Sequence, residues 1–455
     1  MGQEIVKPVK ISQPVNSDKV YIAPKDKLVL AKLNRWKDLK FGLFMHWGIY
    51  SQWGVVESWA LDPEDIDLTK RTGPYASDWY NYKKAYENLQ TTFNPIHFNP
   101  EKWADAAKAA GMKYMVFTTK HHDGFCMFDT KQTDYKITSS KTPFSVNPRA
   151  NVTKEIFNAF RKEDFMVGAY FSKPDWHSEY FWWPYFPPKD RNANYDPKKY
   201  PDRWQKFCNF TFNQIEELMT GYGPIDILWI DGGWVKASRQ NQAIDITPTI
   251  DKVRKEQPGL IVVERGTPEN ENYLTPEQNI PDHYIADPWE TCLTMGKSWS
   301  YIPNESYKTS RELIQTLVDI VAKNGNLLLN IGPGPDGDWH QEAYQRLDEI
   351  AKWMKVNGES IFNTKPIPPY RQDKWAFSLN AKTQYISYLP GQMEKELLEH
   401  VTIPISSLPK TSFVTLLGVK HPLKWRKSGK SILVTIPEKV RRETSGEPVW
   451  VFKII

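Results

Sequence analysis

The chain has few cysteines: three in 455 residues, Cys126, Cys208 and Cys292. An odd, widely spaced set forms no CxxC metal pattern and no disulfide framework. No apolar run approaches the roughly 20 residues that a bilayer span needs, so no membrane span is expected. There is no block of lysine and arginine. The net charge of +5 is spread along the chain, which argues against nucleic-acid binding. No signal peptide is recognisable. The start Met1-Gly2 resembles the opening of a myristoylation motif, but Val6 replaces the required Ser or Thr. The abrupt Met1-Gly2-Gln3-Glu4 start fits a chain that has lost a secretion signal, so a periplasmic or secreted location is expected. Three glycosylation sequons begin at Asn151, Asn209 and Asn304 and matter only in a glycosylating host.

Aromatic residues, by contrast, are abundant: 19 Trp, 22 Tyr and 21 Phe. Most belong in a core. An excess of Trp also suits carbohydrate binding, because pyranose C–H faces stack on flat apolar rings. The length favours two domains. Residues 1–24 read as a loosely structured arm. From 25 to 360 helical and strand-like segments alternate, as in a parallel α/β barrel. Strands are expected at 40–46, 114–119, 166–172, 225–231, 260–266, 284–290 and 326–331, with helices between them. Residues 52–97 are too irregular for regular elements and read as a long functional loop. From 361 to 455 short alternating strands follow with almost no helix, as in a β-sandwich. The expected fold is therefore an irregular (β/α)8-like barrel followed by an all-β sandwich domain.

The stretch Ile225-Asp-Ile-Leu-Trp-Ile-Asp-Gly-Gly-Trp234 anchors the functional reading. Asp231 closes an apolar strand before a double glycine, where barrel enzymes keep catalytic residues. Asp226 lies at the other end and reads as structural. The bland reading of Asp231 is a turn cap. Other expected strand ends supply His46, His121, His122, Asp123, Tyr170, Asp175, Trp176, Trp234, Arg265 and Glu290. Glycoside hydrolysis would use Asp231 and Glu290 as its two carboxyl groups, each closing its own strand, with His and Trp residues binding sugar. A metallohydrolase would gather His46, His121, His122 and Asp231 around zinc. Adjacent His121 and His122 on a strand point to opposite faces, which disfavours that reading. Asp123, Asp175 and Asp287 read as turn residues, Glu264 beside Arg265 as an ion pair, and Cys126 and Cys292 as buried thiols.

At these residues the chain resembles glycoside hydrolase family 29, the α-L-fucosidases. The pieces are Phe41-Gly-Leu-Phe-Met-His-Trp-Gly48, Lys113-Tyr-Met-Val-Phe-Thr-Thr-Lys-His-His-Asp-Gly-Phe125, Tyr170-Phe-Ser-Lys-Pro-Asp-Trp176, Leu228-Trp-Ile-Asp-Gly-Gly-Trp234, Trp289-Glu-Thr-Cys292 and Asn324-Gly-Asn-Leu-Leu-Leu-Asn-Ile-Gly-Pro333. The resemblance implies a cofactor-free, exo-acting, retaining enzyme that releases α-L-fucose from a fucosylated oligosaccharide or glycoconjugate. It implies Asp231 as nucleophile and Glu290 as acid/base, with burial raising the pKa of Glu290 relative to Asp231. It implies sugar binding by His46, His121, His122, Tyr170, Trp234, Arg265, Glu57, Trp59 and Trp299, and Phe44 near the C6 methyl. Two departures stand out: Ser58 separates Glu57 from Trp59, and Ser300 replaces a common glycine. Lys173 stands where an apolar residue is frequent, and a cation there would favour an anionic or sulfated substrate. α-L-Galactosidase activity and a catalytically silent sugar-binding protein are the remaining alternatives.

Overall fold

A computed structural model describes residues 21–64, 70–406 and 408–455. The expected arm falls mostly outside them. At its described end, the Tyr21 hydroxyl donates to the Asn272 carbonyl at 3.0 Å.

Seven parallel strands form one curled sheet: β1 (Phe41–Met45), β2 (Tyr114–Lys120), β3 (Met166–Ser172), β4 (Ile227–Asp231), β5 (Ile261–Glu264), β6 (Trp289–Thr294) and β7 (Gly325–Asn330). Their order is β5-β4-β3-β2-β1-β7-β6. Between the edges β5 and β6 no eighth strand of the same kind intervenes among the described residues. An extended segment does, touching Val263 through Glu271 and reaching β6 at Leu274–Trp289 and Glu277–Cys292. The strands are buried on both faces, which is why they read as apolar runs. Helices α1 (Lys27–Leu39), α3 (Pro100–Ala109), α4 (Val152–Lys162), α5 (Pro201–Gly221), α6 (Thr247–Glu256), α7 (Ser310–Ala322) and α8 (Gln341–Asn357) accompany the strands. Within the expected irregular loop 52–97 lies a further α-helix, α2 (Trp79–Glu87), capped by Asp78. Its buried tyrosines, Tyr82 and Tyr86, lie four apart and mark a helical face.

Every second strand residue points into the barrel. The interior cluster holds Phe44, Val116, Tyr170, Ile227, Trp229 and Val263, among others. Leu33 and Trp36 of α1 join it from the N-terminal end of the strands. Trp36 stacks on Tyr273 with ring centroids 4.1 Å apart, and its carbonyl accepts from Asn326 Nδ2 at 2.8 Å. So α1 plugs the floor. Asp226, expected to be structural, helps: it pairs with Lys32 of α1 at 3.0 Å and accepts from the Val167 amide at 3.0 Å.

Beyond the barrel, β8 (Lys365–Gln372), β9 (Trp375–Asn380), β10 (Thr383–Tyr388), β12 (Val414–Leu416) and β15 (Trp450–Ile454) form a five-stranded sheet. The strands β11 (His400–Ile403), β13 (Lys424–Ser428) and β14 (Ser431–Thr435) form a three-stranded one. Phe377, Ile386, Phe452, Val401, Ile432 and Val434 from the two sheets share a core. Alternate residues of the larger sheet, Ala376, Tyr385 and Val451, join the barrel's outer core. A sandwich therefore rests with one face on the barrel.

Candidate active site

Asp231 is the last residue of β4. Gly232 follows with φ +89°, a conformation that suits glycine, and Gly233 lies so close to Arg265 that a Cβ would sit 2.4 Å from its carbonyl oxygen. The double glycine thus lets the β4 and β5 loops touch behind the carboxylate. The Tyr170 hydroxyl donates to Asp231 Oδ2 at 2.9 Å, and Arg265 Nη1 donates to Oδ1 at 3.3 Å. Burial pushes the Asp231 pKa up. The Arg265 guanidinium, the nearby His122 and the hydrogen bonds outweigh it and hold the carboxyl below its ordinary value. Asp231 is therefore ionised at neutral pH.

The three histidines form a wall beside it. Asn330 Nδ2 donates to the Trp299 carbonyl at 2.6 Å, which turns Asn330 Oδ1 toward His46 Nδ1 at 2.8 Å. The Nδ1 of His46 therefore carries the proton and its Nε2 is an acceptor. Ser172 Oγ donates to the Pro174 carbonyl at 2.9 Å, so it accepts from His122 Nδ1 at 2.6 Å. Ser58 Oγ accepts from the Asp123 amide at 2.8 Å and donates to His121 Nδ1 at 2.6 Å, which leaves His121 Nε2 as a donor. Burial holds all three neutral: it lowers His46 to about 4 and His122 to about 3, and takes His121 well below its ordinary value. One donor and two acceptors suit a ring of sugar hydroxyls. His122 Nε2 stands 3.9 Å from Asp231 Oδ2, beyond hydrogen-bond distance. His121 and His122 sit just past the end of β2, where strand alternation no longer separates them, and their rings lie 4.1 Å apart.

Aromatic rings complete the wall. Tyr170 stacks on Trp229 at 5.5 Å. Phe44 meets Trp229 at 5.5 Å and Trp299 at 6.0 Å. Trp59 and Trp234 stand 5.3 Å and 5.0 Å from His122. Glu57 is buried behind them. Its Oε1 accepts from the Ser300 amide at 2.7 Å, while its own amide donates to Ser300 Oγ at 3.2 Å. Its Oε2 is buried without a hydrogen-bond partner, and burial pushes its pKa up to about 8.

The structure thus brings together Asp231, His46, His121, His122, Tyr170, Trp234, Arg265, Phe44, Trp299, Glu57 and Trp59. Glu290 is the exception. The sequence places it at the close of a strand over 284–290, whereas the strand is Trp289–Thr294 and Glu290 is its second residue. It lies at the floor, 0% exposed. Tyr114, the first residue of β2, donates its hydroxyl to Glu290 Oε2 at 2.7 Å. Trp229 Nε1 donates to Oε1 at 3.4 Å from above. Burial does raise its pKa, to about 7, against those hydrogen bonds. The indole of Trp229 stands between it and the level of Asp231.

The carboxyl that does share the neighbourhood of Asp231 is Glu277, which no strand-end pattern marks in the sequence. Arg265 reaches Asp231 with Nη1 and Glu277 Oε2 with Nη2, the latter at 2.8 Å. The Glu277 side chain is 30% exposed, so it faces the mouth. Two further expectations are corrected. Glu264 does not pair with Arg265 but accepts from Lys173 Nζ at 2.9 Å and from Asn270 Nδ2 at 2.9 Å. Lys173 is consequently a buried, neutralised cation, 1% exposed, and offers nothing to an anionic substrate. Cys126 and Cys292 are buried thiols. Among the described residues no three His, Cys, Asp or Glu side chains are grouped as a metal site requires, and no helix is long and apolar enough to cross a membrane.

Comparison with known proteins adds a family. The model described as Alpha-L-fucosidase matches residues 9–359. The plasma alpha-L-fucosidase of Rattus norvegicus is 28% identical over 427 residues, covering 89% of this chain and 87% of its own. The structure of alpha-L-fucosidase isoenzyme 1 from Paenibacillus thiaminolyticus superposes with a TM-score of 0.75 at 27% identity, covering 94% of this chain and 99% of that one. The alpha-fucosidase of Thermotoga maritima in complex with fucose gives a TM-score of 0.72 at 25% identity, over 92% and 96%.

Proposed function

The chain belongs to the α-L-fucosidase family, and from that membership we infer an exo-acting, retaining α-L-fucosidase with Asp231 as nucleophile and Glu277 as acid and base. The observation that carries the assignment is the single guanidinium of Arg265 holding both carboxyls. Double displacement needs the two carboxyls close, roughly 5–5.5 Å apart.

In the first step an Asp231 oxygen attacks the anomeric carbon, the glycosidic C–O bond breaks, and Glu277 gives its proton to the departing oxygen. A fucosyl ester on Asp231 results. In the second step Glu277 takes a proton from water, whose oxygen displaces Asp231 and releases α-L-fucose. The charges assist this order. While Asp231 is ionised, two carboxyls compete for one guanidinium. Ester formation neutralises Asp231 and leaves Arg265 to Glu277 alone, which pairs the carboxylate form when a base is required. His46, His121, His122 and Glu57 would hold the sugar hydroxyls, and Phe44, Trp229 and Trp299 would face its apolar edge. A fucosylated glycan is the substrate class. Work outside the cell is supported by the plasma alpha-L-fucosidase among its relatives.

The test is a pair of variants. Asp231→Asn should abolish turnover of every α-L-fucoside. Glu277→Gln should slow glycans with unactivated leaving groups by about 10²–10⁴-fold, and α-L-fucosyl fluoride, which needs no proton, far less. If Glu277→Gln slows both substrates equally or neither, the acid lies elsewhere.

A further inference from the structure

The aromatic wall beside the nucleophile does not end at the buried pocket. It continues outward through Trp59 and Trp234, both half-buried, whose rings lie 5.7 Å apart. Over them rests a cation. The guanidinium of Arg191 is 4.7 Å from the Trp234 ring centre and 6.0 Å from that of Trp59. Arg191 comes from the long connection after β3, yet its backbone is tightly pinned. The Trp176 indole donates to the Arg191 carbonyl at 3.1 Å, and the Trp182 indole to the Asn192 carbonyl at 2.8 Å. Trp176 and Trp182 stack at 5.1 Å. The fully buried Gln242 accepts from the Ala193 amide at 2.9 Å and donates to Asn192 Oδ1 at 2.9 Å. Such an arm costs little further ordering when it meets a ligand.

Two donors on this wall are left over. Arg191 Nε and Trp234 Nε1 are both buried and have no hydrogen-bond partner. An unpaired buried donor is costly unless something pairs with it. A stacked ring face with donors at its edge is the means by which proteins hold a pyranose: apolar surface for the C–H face, N–H groups for the oxygens. The surroundings are mixed in charge, Asp62, Glu64 and Asp190 opposing Arg191 and Arg239, so no net positive field is left. That favours a neutral sugar over a sulfated or acidic one.

We propose that Arg191, with Trp59 and Trp234, forms a subsite for the neutral sugar unit adjoining the fucose. The proposal rests on the fucosidase reading above and adds what the enzyme recognises beyond its terminal sugar.

The experiment compares kcat/KM of the wild type and Arg191→Ala on two kinds of substrate: a panel of neutral α-1,2-, α-1,3-, α-1,4- and α-1,6-linked fucosyl disaccharides, and α-L-fucosyl fluoride, which carries no second sugar. On the best disaccharide the variant should lose about tenfold more than on the fluoride, the scale of one hydrogen bond, and the loss should appear mainly in KM. Arg191→Met keeps an apolar stem over Trp234 without the donors and should show the same selective loss, which separates recognition from collapse of the wall. A loss shared equally by both substrates, or absent from both, overturns the subsite. A wild-type protein inert toward the fluoride overturns the fucosidase reading and the subsite with it.

Discussion

Replacing Glu290 by glutamine distinguishes a floor carboxyl from a catalytic one. In the floor, its Oε2 accepts from Tyr114 and its Oε1 from Trp229. Glutamine keeps one acceptor and turns an N–H group toward the other donor, at a cost of about 1–3 kcal/mol at any pH. The acid itself carries a second, pH-dependent effect. Burial lifts its pKa from 4.5 to about 7. A carboxyl raised in this way contributes stability that is fully present below its unfolded value near 4.5 and is lost as pH rises through about 7. A displacement from 4.5 to about 7 corresponds to about 3 kcal/mol. Glutamine does not ionise and escapes this loss.

Glu290→Gln should therefore be the less stable protein near pH 4.5 and should match or overtake the wild type by about pH 8. For 455 residues a kcal/mol is worth roughly 1 °C in Tm. Parallel thermal scans at several pH values should then show the Tm gap closing by about 3 °C, the scale of the lost contribution. Turnover of an aryl α-L-fucoside, measured on the same preparations, should stay within about tenfold of wild type, because the Trp229 indole stands between Glu290 and the level of Asp231. A Tm gap that does not change with pH, or turnover as low as that of Asp231→Asn, would refute the placement beneath the site.

Two other variants probe the surroundings of Asp231. Arg265→Met removes the largest influence that holds the Asp231 carboxyl low against burial. The acidic limb of kcat/KM should move to higher pH, and a limb that stays in place would show that Arg265 does not set the ionisation of Asp231. Gly233→Ala puts a Cβ 2.4 Å from the Arg265 carbonyl oxygen, so backbone must move next to Asp231. Its circular dichroism should be that of the wild type while kcat/KM falls by about 10²-fold, the cost of a misplacement near 1 Å. Undiminished activity would show that the close approach of the two loops has no part in catalysis.

The strand ends were legible in the sequence for a physical reason. A parallel strand covered on both faces must be apolar, so the first polar residues after it mark the rim. Asp231, His46, His121 and His122 all carry that mark, at or just past the ends of their strands. The same signal misled at Glu290, because the run before it contains Pro288. Proline cannot donate within a sheet, so pairing begins after it, at Trp289. Glu290 then opens a strand instead of closing one. Pro288 was visible throughout. Glu277 carried no comparable mark. Its segment makes isolated bridges to β5 and β6 and runs too irregularly to show a period of two. Irregular backbone that closes a barrel can bear a reacting group without leaving a pattern.

The two serines that depart from the family pattern show what a single chain read in order conceals. Ser58, set between Glu57 and Trp59, supplies the hydroxyl that fixes the His121 tautomer. Ser300 accepts from the amide of Glu57 with its hydroxyl oxygen and donates to Oε1 with its own amide. Ser300 Oγ also donates to the Val55 carbonyl at 2.6 Å. A glycine at position 300 would keep the amide but lose both hydroxyl bonds, leaving the loop before Ser58 less firmly tied. Glu57 itself sits at φ +28°, a backbone state that needs outside support. Ser58, near one end of the barrel's sequence, and Ser300, near the other, thus act on one loop. Each looks like an isolated irregularity along the chain. In space Ser300 holds the strained turn that lets Ser58 reach a histidine, and Trp59 is carried forward to the outer wall by the same turn.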